Sequence, residues 1–121
     1  MSRTILIVED QDDNRRIMRD LLTSGGYAVI EAVTGLDGVR AAEAHRPDLI
    51  LMDVQLPGLD GYEATRRIKA HPDLGAIPII IVTSYALSGD DIKAYAAGCD
   101  DYVAKPFSPR QLLAKVRGYL D

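Results

Sequence analysis

Short apolar runs alternate with amphipathic stretches about five times along the chain. Ile5-Leu6-Ile7-Val8 and Leu49-Ile50-Leu51-Met52 are uninterrupted apolar blocks bounded by polar turn formers. Blocks of that kind suit strands buried on both faces of a parallel sheet. Three further strands are predicted, over Tyr27–Ala32, Ile77–Val82 (with Pro78 near its start) and Tyr102–Ala104. Between them lie helix patterns. The first begins at a cap by Asp12 or Asp13, because an Asx side chain accepts from free first-turn amides. It pairs Ile17 with Leu21 and Met18 with Leu22 four residues apart as its apolar stripe, and Gly25-Gly26 ends it. The second runs from Gly35 to His45 with Leu36, Val39 and Ala42 or Glu43 on its inner edge, and the third from Gly61 to Ala70, stopped by His71-Pro72. Ser88 caps a fourth, through Ala97, ended by Gly98. Ser108 caps a fifth with Pro109 at its first position, where proline is favoured, and Leu112, Val116 and Leu120 on one face.

Such alternation implies right-handed βαβ units and one α/β domain: a doubly wound parallel sheet of five strands with five helices. Its length of 121 residues fits one domain, and 47% hydrophobic residues suffice for a core. The net charge of −4 offers no basic face for nucleic acid, and no apolar run spans a bilayer. One cysteine, Cys99, leaves no internal disulfide and reads as a small buried hydrophobe in a reducing compartment. Cytoplasmic residence is the expectation. His45 and His71 lack ligand spacing and receive no role.

Polar residues sit where the strands end: Glu9-Asp10, Asp53, Thr83 and Lys105. In a parallel sheet these ends share one edge, the edge at which open α/β folds bind ligands. Three carboxylates in one crevice raise each other's pKa values, and a hard divalent cation relieves this. Magnesium takes one or two carboxylates and leaves positions for phosphate oxygens, whereas no continuous loop offers calcium's larger set. Asp53 then reads as a nucleophile toward phosphorus, with Lys105 and the Thr83 hydroxyl on the transferred group. Taken singly, each residue has a blander reading. Glu9-Asp10 fits a solvated turn, Lys105 a surface lysine, Thr83 a strand end and Tyr102 a core aromatic. The joint pattern is far more specific than its members.

At these residues the chain resembles the receiver domain of two-component response regulators, as in single-domain chemotaxis and cell-cycle regulators. The resemblance runs from Ile5 to Leu120. It rests on Ile7-Val8-Glu9-Asp10, Leu51-Met52-Asp53-Val54-Gln55-Leu56-Pro57-Gly58, Val82-Thr83-Ser84 and Tyr102-Val103-Ala104-Lys105-Pro106-Phe107. It implies a flavodoxin-like sheet order of 2-1-3-4-5. It also implies phosphoryl transfer to Asp53 from a phosphohistidine of a sensor kinase or phosphotransfer protein. Glu9, Asp10, Asp53 and the backbone carbonyl of Gln55 would hold Mg2+, with Mn2+ as a substitute. Thr83 and Tyr102 would form a switch, and Lys105 would contact the phosphoryl group, with a cis Lys105-Pro106 bond. The moved surface would be the fourth helix, last strand and fifth helix, including Lys93, Tyr95 and Arg110. A downstream protein would dock there, and a homodimer on activation is a further expectation. Gln55 and Tyr85 match positions that tune phosphoryl lifetime. Two departures stand out: Glu9 where many members carry aspartate, and Ser84 where alanine is common.

Residues 1–121 are thus expected to be a receiver domain without an output domain, not an enzyme beyond its own phosphoryl transfer and autodephosphorylation. The alternatives differ at identifiable positions. A phosphohydrolase like the haloacid dehalogenases needs an acid two residues beyond the nucleophile, where this chain has Gln55. A flavin or nucleotide carrier needs a Gly/Ser/Thr-rich loop after the first strand, where Glu9-Asp10-Gln11-Asp12-Asp13 would repel phosphate. A docking module that works unphosphorylated keeps every residue and is excluded by none.

Overall fold

A computed structural model describes residues 3–84 and 90–121, with the side chain of Asp90 left aside. Five parallel strands, β1 (Thr4–Val8), β2 (Ala28–Ala32), β3 (Leu49–Asp53), β4 (Ile79–Thr83) and β5 (Asp101–Ala104), lie in the order β2-β1-β3-β4-β5. Helices α1 (Asp12–Ser24), α2 (Gly35–His45), α3 (Gly61–Ala70), α4 (Asp90–Ala96) and α5 (Pro109–Leu120) connect and cover them. The expected fold class and strand order are those observed.

Successive strand side chains point to opposite faces, and the continuous apolar runs fill both. On one face Leu6, Val8, Ile50, Met52, Ile79 and Ile81 pack with Ala42 of α2, Ala64 and Ile68 of α3 and Ala94 of α4. On the other, Ile5, Ile7, Leu49, Leu51, Ile80 and Val82 pack with Met18 and Leu22 of α1 and Leu112, Val116 and Leu120 of α5. Each fully buried Leu or Ile contributes roughly 1.5–3 kcal/mol relative to exposure, so the central strands are the stable frame behind the site. Cys99 lies in the first cluster, and burial pushes its thiol up to about 11, as a packed rather than reactive cysteine requires.

Several local expectations change. Gln11, not Asp12 or Asp13, occupies the N-cap of α1, without a side-chain bond; both aspartates lie in the first turn, where their charge favours the helix dipole. Ile17 is largely exposed, because Met18 and Leu22, with Leu21 half-buried beside them, are the residues of α1 that pack on the sheet. Leu36 and Glu43 also face outward; Gly35, Gly38 and Ala42 form the buried side of α2, which approaches too closely for a larger side chain. A Cβ on Gly38 would lie 2.8 Å from a Val8 methyl. The β4 ladder begins at Ile79, after Pro78, which has no amide to donate but whose carbonyl accepts from Ile50. Ser108 caps α5 through the Gln111 amide. The cap expected of Ser88 and the position of Tyr85 lie outside the described residues.

Candidate functional site

Strand register brings the polar ends together. Val8 pairs with Met52, so Glu9 stands level with Asp53; Asp53 pairs with Val82, and Thr83 with Ala104, one residue before Lys105. Residues separated by up to 96 positions therefore meet at one sheet edge. Glu9 and Thr83 are fully buried, Asp53 is 6% exposed, and Asp10 stands nearer to solvent. The ends are pinned by backbone bonds from Glu9 N–H to the Ala32 carbonyl (3.0 Å) and from Lys105 N–H to the Thr83 carbonyl (2.6 Å).

The electrostatics follow from this geometry. Lys105 Nζ donates to Glu9 Oε1 at 2.5 Å and lies 3.5 Å from Asp53 Oδ1. Asp53 Oδ1 also accepts from the Val54 amide at 2.9 Å. Burial above all, then the charge of Glu9, pushes the Asp53 carboxyl up to about 7, while Lys105 pulls the other way. The longer arm of Glu9 is what reaches Lys105; the sequence alone did not reveal this pairing. Gln11 N–H approaches the other Glu9 oxygen at 3.3 Å, so both carboxylate oxygens have partners.

Carboxylate oxygens of Glu9, Asp10 and Asp53 all lie within 4.8 Å of one another. Three hard oxygen donors on strand ends, with an exposed rim at Asp10, fit a magnesium ion that keeps several waters. Gln55 is exposed on the loop that follows β3, two residues beyond Asp53. Tyr102, on β5, is half-buried against the core face that holds Met52 and Ile81. The Lys105-Pro106 peptide is cis. A cleft of about 410 Å³ opens beside Lys105, between Asn14 and Ile17 of α1 and Ser84, Pro106, Phe107 and Pro109. Of the outer surface expected to move, Tyr95 and Ile92 on α4 and Tyr119 on α5 are exposed large side chains. Arg110 lies exposed in the first turn of α5 and Lys93 exposed on α4.

Sequence reasoning passed over Arg15. Its guanidinium donates to the Glu9 backbone carbonyl at 3.0 Å, to Asp12 at 2.5 Å and to Glu31 at 3.1 Å. The Asp12/Arg15 spacing of three residues on a helix signals the ion pair. Nothing in the sequence signals the reach to Glu9.

The family model described as response regulator receiver domain matches residues 5–117. A polar-differentiation response regulator, DivK, of Brucella anthropi is 40% identical over 120 residues, covering 99% of this chain and 98% of that protein. Among solved structures, a putative response regulator from Chloroflexus aurantiacus superposes with a TM-score of 0.95 at 34% identity, over 99% of this chain and 98% of that one. The receiver domain of a sensor histidine kinase from Pseudomonas aeruginosa superposes with a TM-score of 0.92 at 42% identity, with the same coverage. That structure has a magnesium ion coordinated in its active-site cleft. Among the described residues, no helix is long and apolar enough to cross a membrane.

Proposed function

The chain belongs to the response regulator receiver domain family of two-component signalling, and on that premise we propose that it is a switch driven by phosphorylation of Asp53. One observation carries the proposal. The central strand delivers a single buried carboxylate to an edge where two more carboxylates and one ammonium converge. Glu9, Asp10 and Asp53, with the Gln55 carbonyl, would hold Mg2+, and Mn2+ would substitute. When bound, the ion offsets the repulsion between a carboxylate nucleophile and a phosphoryl group.

In the transfer, an Asp53 carboxylate oxygen forms a bond to phosphorus while the P–N bond of a phosphohistidine breaks. The imidazole nitrogen keeps the electron pair of the P–N bond and takes a proton from solvent, and Asp53 becomes an acyl phosphate. Lys105, already within 3.5 Å of Asp53, supplies positive charge to the transferred group. The Thr83 hydroxyl supplies a hydrogen bond from the end of β4. Because Thr83 and Tyr102 sit on adjacent strands, a movement of the hydroxyl toward the phosphoryl group frees space for the aromatic ring. Phosphorylation thereby favours one of two packings of the face built by α4, β5 and α5. A downstream protein, or a second copy on activation, reads that face. The phosphodonor is a sensor histidine kinase or a histidine phosphotransfer protein. A role for residues 1–121 as a receiver without further chemistry of its own, acting in the cytoplasm, completes the reading.

Acetyl phosphate tests the chemistry directly. Incubation with magnesium is expected to add the mass of one phosphoryl group to the intact protein, and chelation of the metal to prevent it. Folded protein that takes up nothing, from acetyl phosphate or from a cognate phosphohistidine donor, would turn the reading toward a docking module that works unphosphorylated.

The raised Asp53 pKa adds a pH prediction. A cation needs the ionised carboxylate, so below about 7 it competes with a proton on Asp53. Magnesium affinity measured by calorimetry is expected to be about tenfold weaker at pH 6 than at pH 8, since one proton is displaced per ion. An affinity flat between these pH values would show that Asp53 is already ionised at pH 6.

A further inference from the structure

We propose that Arg15 is a positioning residue for the acidic loop, holding Glu9 and Asp10 in the arrangement that receives the cation. The inference rests on the reading of Glu9, Asp10 and Asp53 as the magnesium site.

The loop from Glu9 to Gln11 joins β1 to α1 and carries two of the three site carboxylates. The N-cap of α1 contributes no side-chain bond. Arg15 instead reaches back from the first turn. One nitrogen donates to the Glu9 carbonyl at 3.0 Å, a second to Asp12 at 2.5 Å, and Nε to Glu31 on β2 at 3.1 Å. A planar guanidinium holds three acceptors in fixed directions, which an ammonium does not. Arg15 is also the less exposed partner, its side chain 17% exposed against 81% for Asp12. The result is a cross-link between the loop, the start of α1 and strand β2. The engagement of Asp12 has a second effect: it ties an acidic side chain three residues past Glu9 to a cation of the protein's own.

Two influences of Arg15 on magnesium have opposite signs. As a nearby positive charge it disfavours a cation, so its removal would strengthen binding. As a brace it favours binding, so its removal would weaken it. Outer partners of ligand residues typically alter metal affinity by about 10–100-fold. The brace here acts on the backbone of one ligand, and a weakening of about fivefold to tenfold in Arg15→Ala is expected. Arg19 supplies the control. It also pairs with Glu31, at 3.3 Å, yet forms no bond to the loop. Arg19→Ala removes the same charge and is expected to leave the affinity unchanged or slightly increased.

The experiment is magnesium titration of wild type, Arg15→Ala, Arg15→Lys and Arg19→Ala by calorimetry at fixed ionic strength. It is paired with amide hydrogen exchange of the metal-free proteins. Weakened binding in Arg15→Ala, partial recovery in Arg15→Lys and faster exchange at Asp10 and Gln11 only in the Arg15 variants would support the brace. Arg15→Ala binding magnesium as tightly as wild type, or more tightly, would overturn it, as would equal weakening in Arg19→Ala. Wild type that binds no magnesium would instead defeat the reading of the site. The exchange measurement, made without metal, decides on Arg15 in that case too, unchanged exchange in Arg15→Ala counting against it.

Discussion

Asp53→Asn takes up no phosphoryl group and yet, without divalent cations at pH 8, is more stable than the wild type. The loss of uptake follows from replacing the only nucleophile at the end of β3 with an amide. The gain in stability follows from the environment. Asp53 is 6% exposed, lies beside the buried Glu9 carboxylate, and is pushed up to about 7 from the usual carboxylate range. Lys105 offsets part of this but spends its shortest contact on Glu9. A carboxyl whose native pKa exceeds its unfolded value binds more protons when folded than when unfolded. Its contribution is therefore fully present below about pH 4, shrinks as pH rises toward 7, and is lost above that. The amide never ionises and escapes the loss. The difference between variant and wild type should be small at pH 4 and on the order of 4 kcal/mol at pH 8. Denaturant unfolding of both proteins at several pH values, in chelator, measures it. Parallel stability curves across that range would refute the argument. Magnesium should raise the stability of the wild type at pH 8 and narrow the gap, since an ion bound only to the folded state stabilises it by mass action.

Gly61→Ala is expected to be the most damaging single-methyl addition near the site. A Cβ at Gly61 would lie 1.9 Å from the Asp53 carbonyl oxygen, 2.8 Å from its carbonyl carbon and 2.9 Å from Val54 Cα. All three are backbone atoms, so no rotamer change relieves the clash. Helix α3 must move away from the end of β3, and the Gly61 N–H to Val54 carbonyl bond at 3.0 Å must stretch or break. Overpacking of this kind usually costs about 1–3 kcal/mol where side chains can yield. With backbone on both sides, a loss of about 3 kcal/mol or more is expected. For a domain of this size that corresponds to roughly 10 °C or more in Tm. Gly118→Ala, with nothing within 4 Å of the added carbon and helical backbone around it, should gain about 0.5–1 kcal/mol. Thermal unfolding of the pair separates the close contact from a general effect of glycine. An unchanged Tm for Gly61→Ala would mean that α3 sits farther from β3. In the fraction of Gly61→Ala that folds, phosphoryl uptake should also fall, because Asp53 is carried on the strand that α3 presses.

The two results share a cause. The same tight approach of α3 that excludes a methyl group at Gly61 also covers the Asp53 backbone. The burial that raises its pKa keeps water away from the carboxylate. A pair of exposed acids at the same spacing would show neither effect. Stability is thus lowered where the proposed chemistry needs an ionisable, desolvated group, and the continuous apolar strands behind it supply the excess that tolerates this.

Much of the protein was legible along the chain, for a physical reason that can be named. Uninterrupted runs such as Ile5–Val8 and Leu49–Met52, short and bounded by turn formers, suit strands covered on both faces, and their alternation with helices implies a parallel sheet and one shared C-terminal edge. The bounds of α2, α3 and β3 and the Ser108 cap follow from such local rules, and so does the gathering of Glu9, Asp10, Asp53, Thr83 and Lys105 at one edge; the strand order came from the resemblance to receiver domains. The tertiary structure alone decided what local pattern leaves degenerate. Ile17 and Met18 are both apolar and adjacent, yet only packing against the sheet selects Met18. Asp12 and Gln11 compete for one cap, and Arg15, by taking Asp12 as a partner, accompanies the outcome in which Gln11 occupies it. The choice of Glu9 over Asp53 as the nearest partner of Lys105, the raised Asp53 pKa and the closeness of Gly61 depend on distances between segments remote in sequence. Periodicity tells which side of an element faces inward; only the assembled packing sets how near its neighbours come, and charge and contact energies turn on that distance.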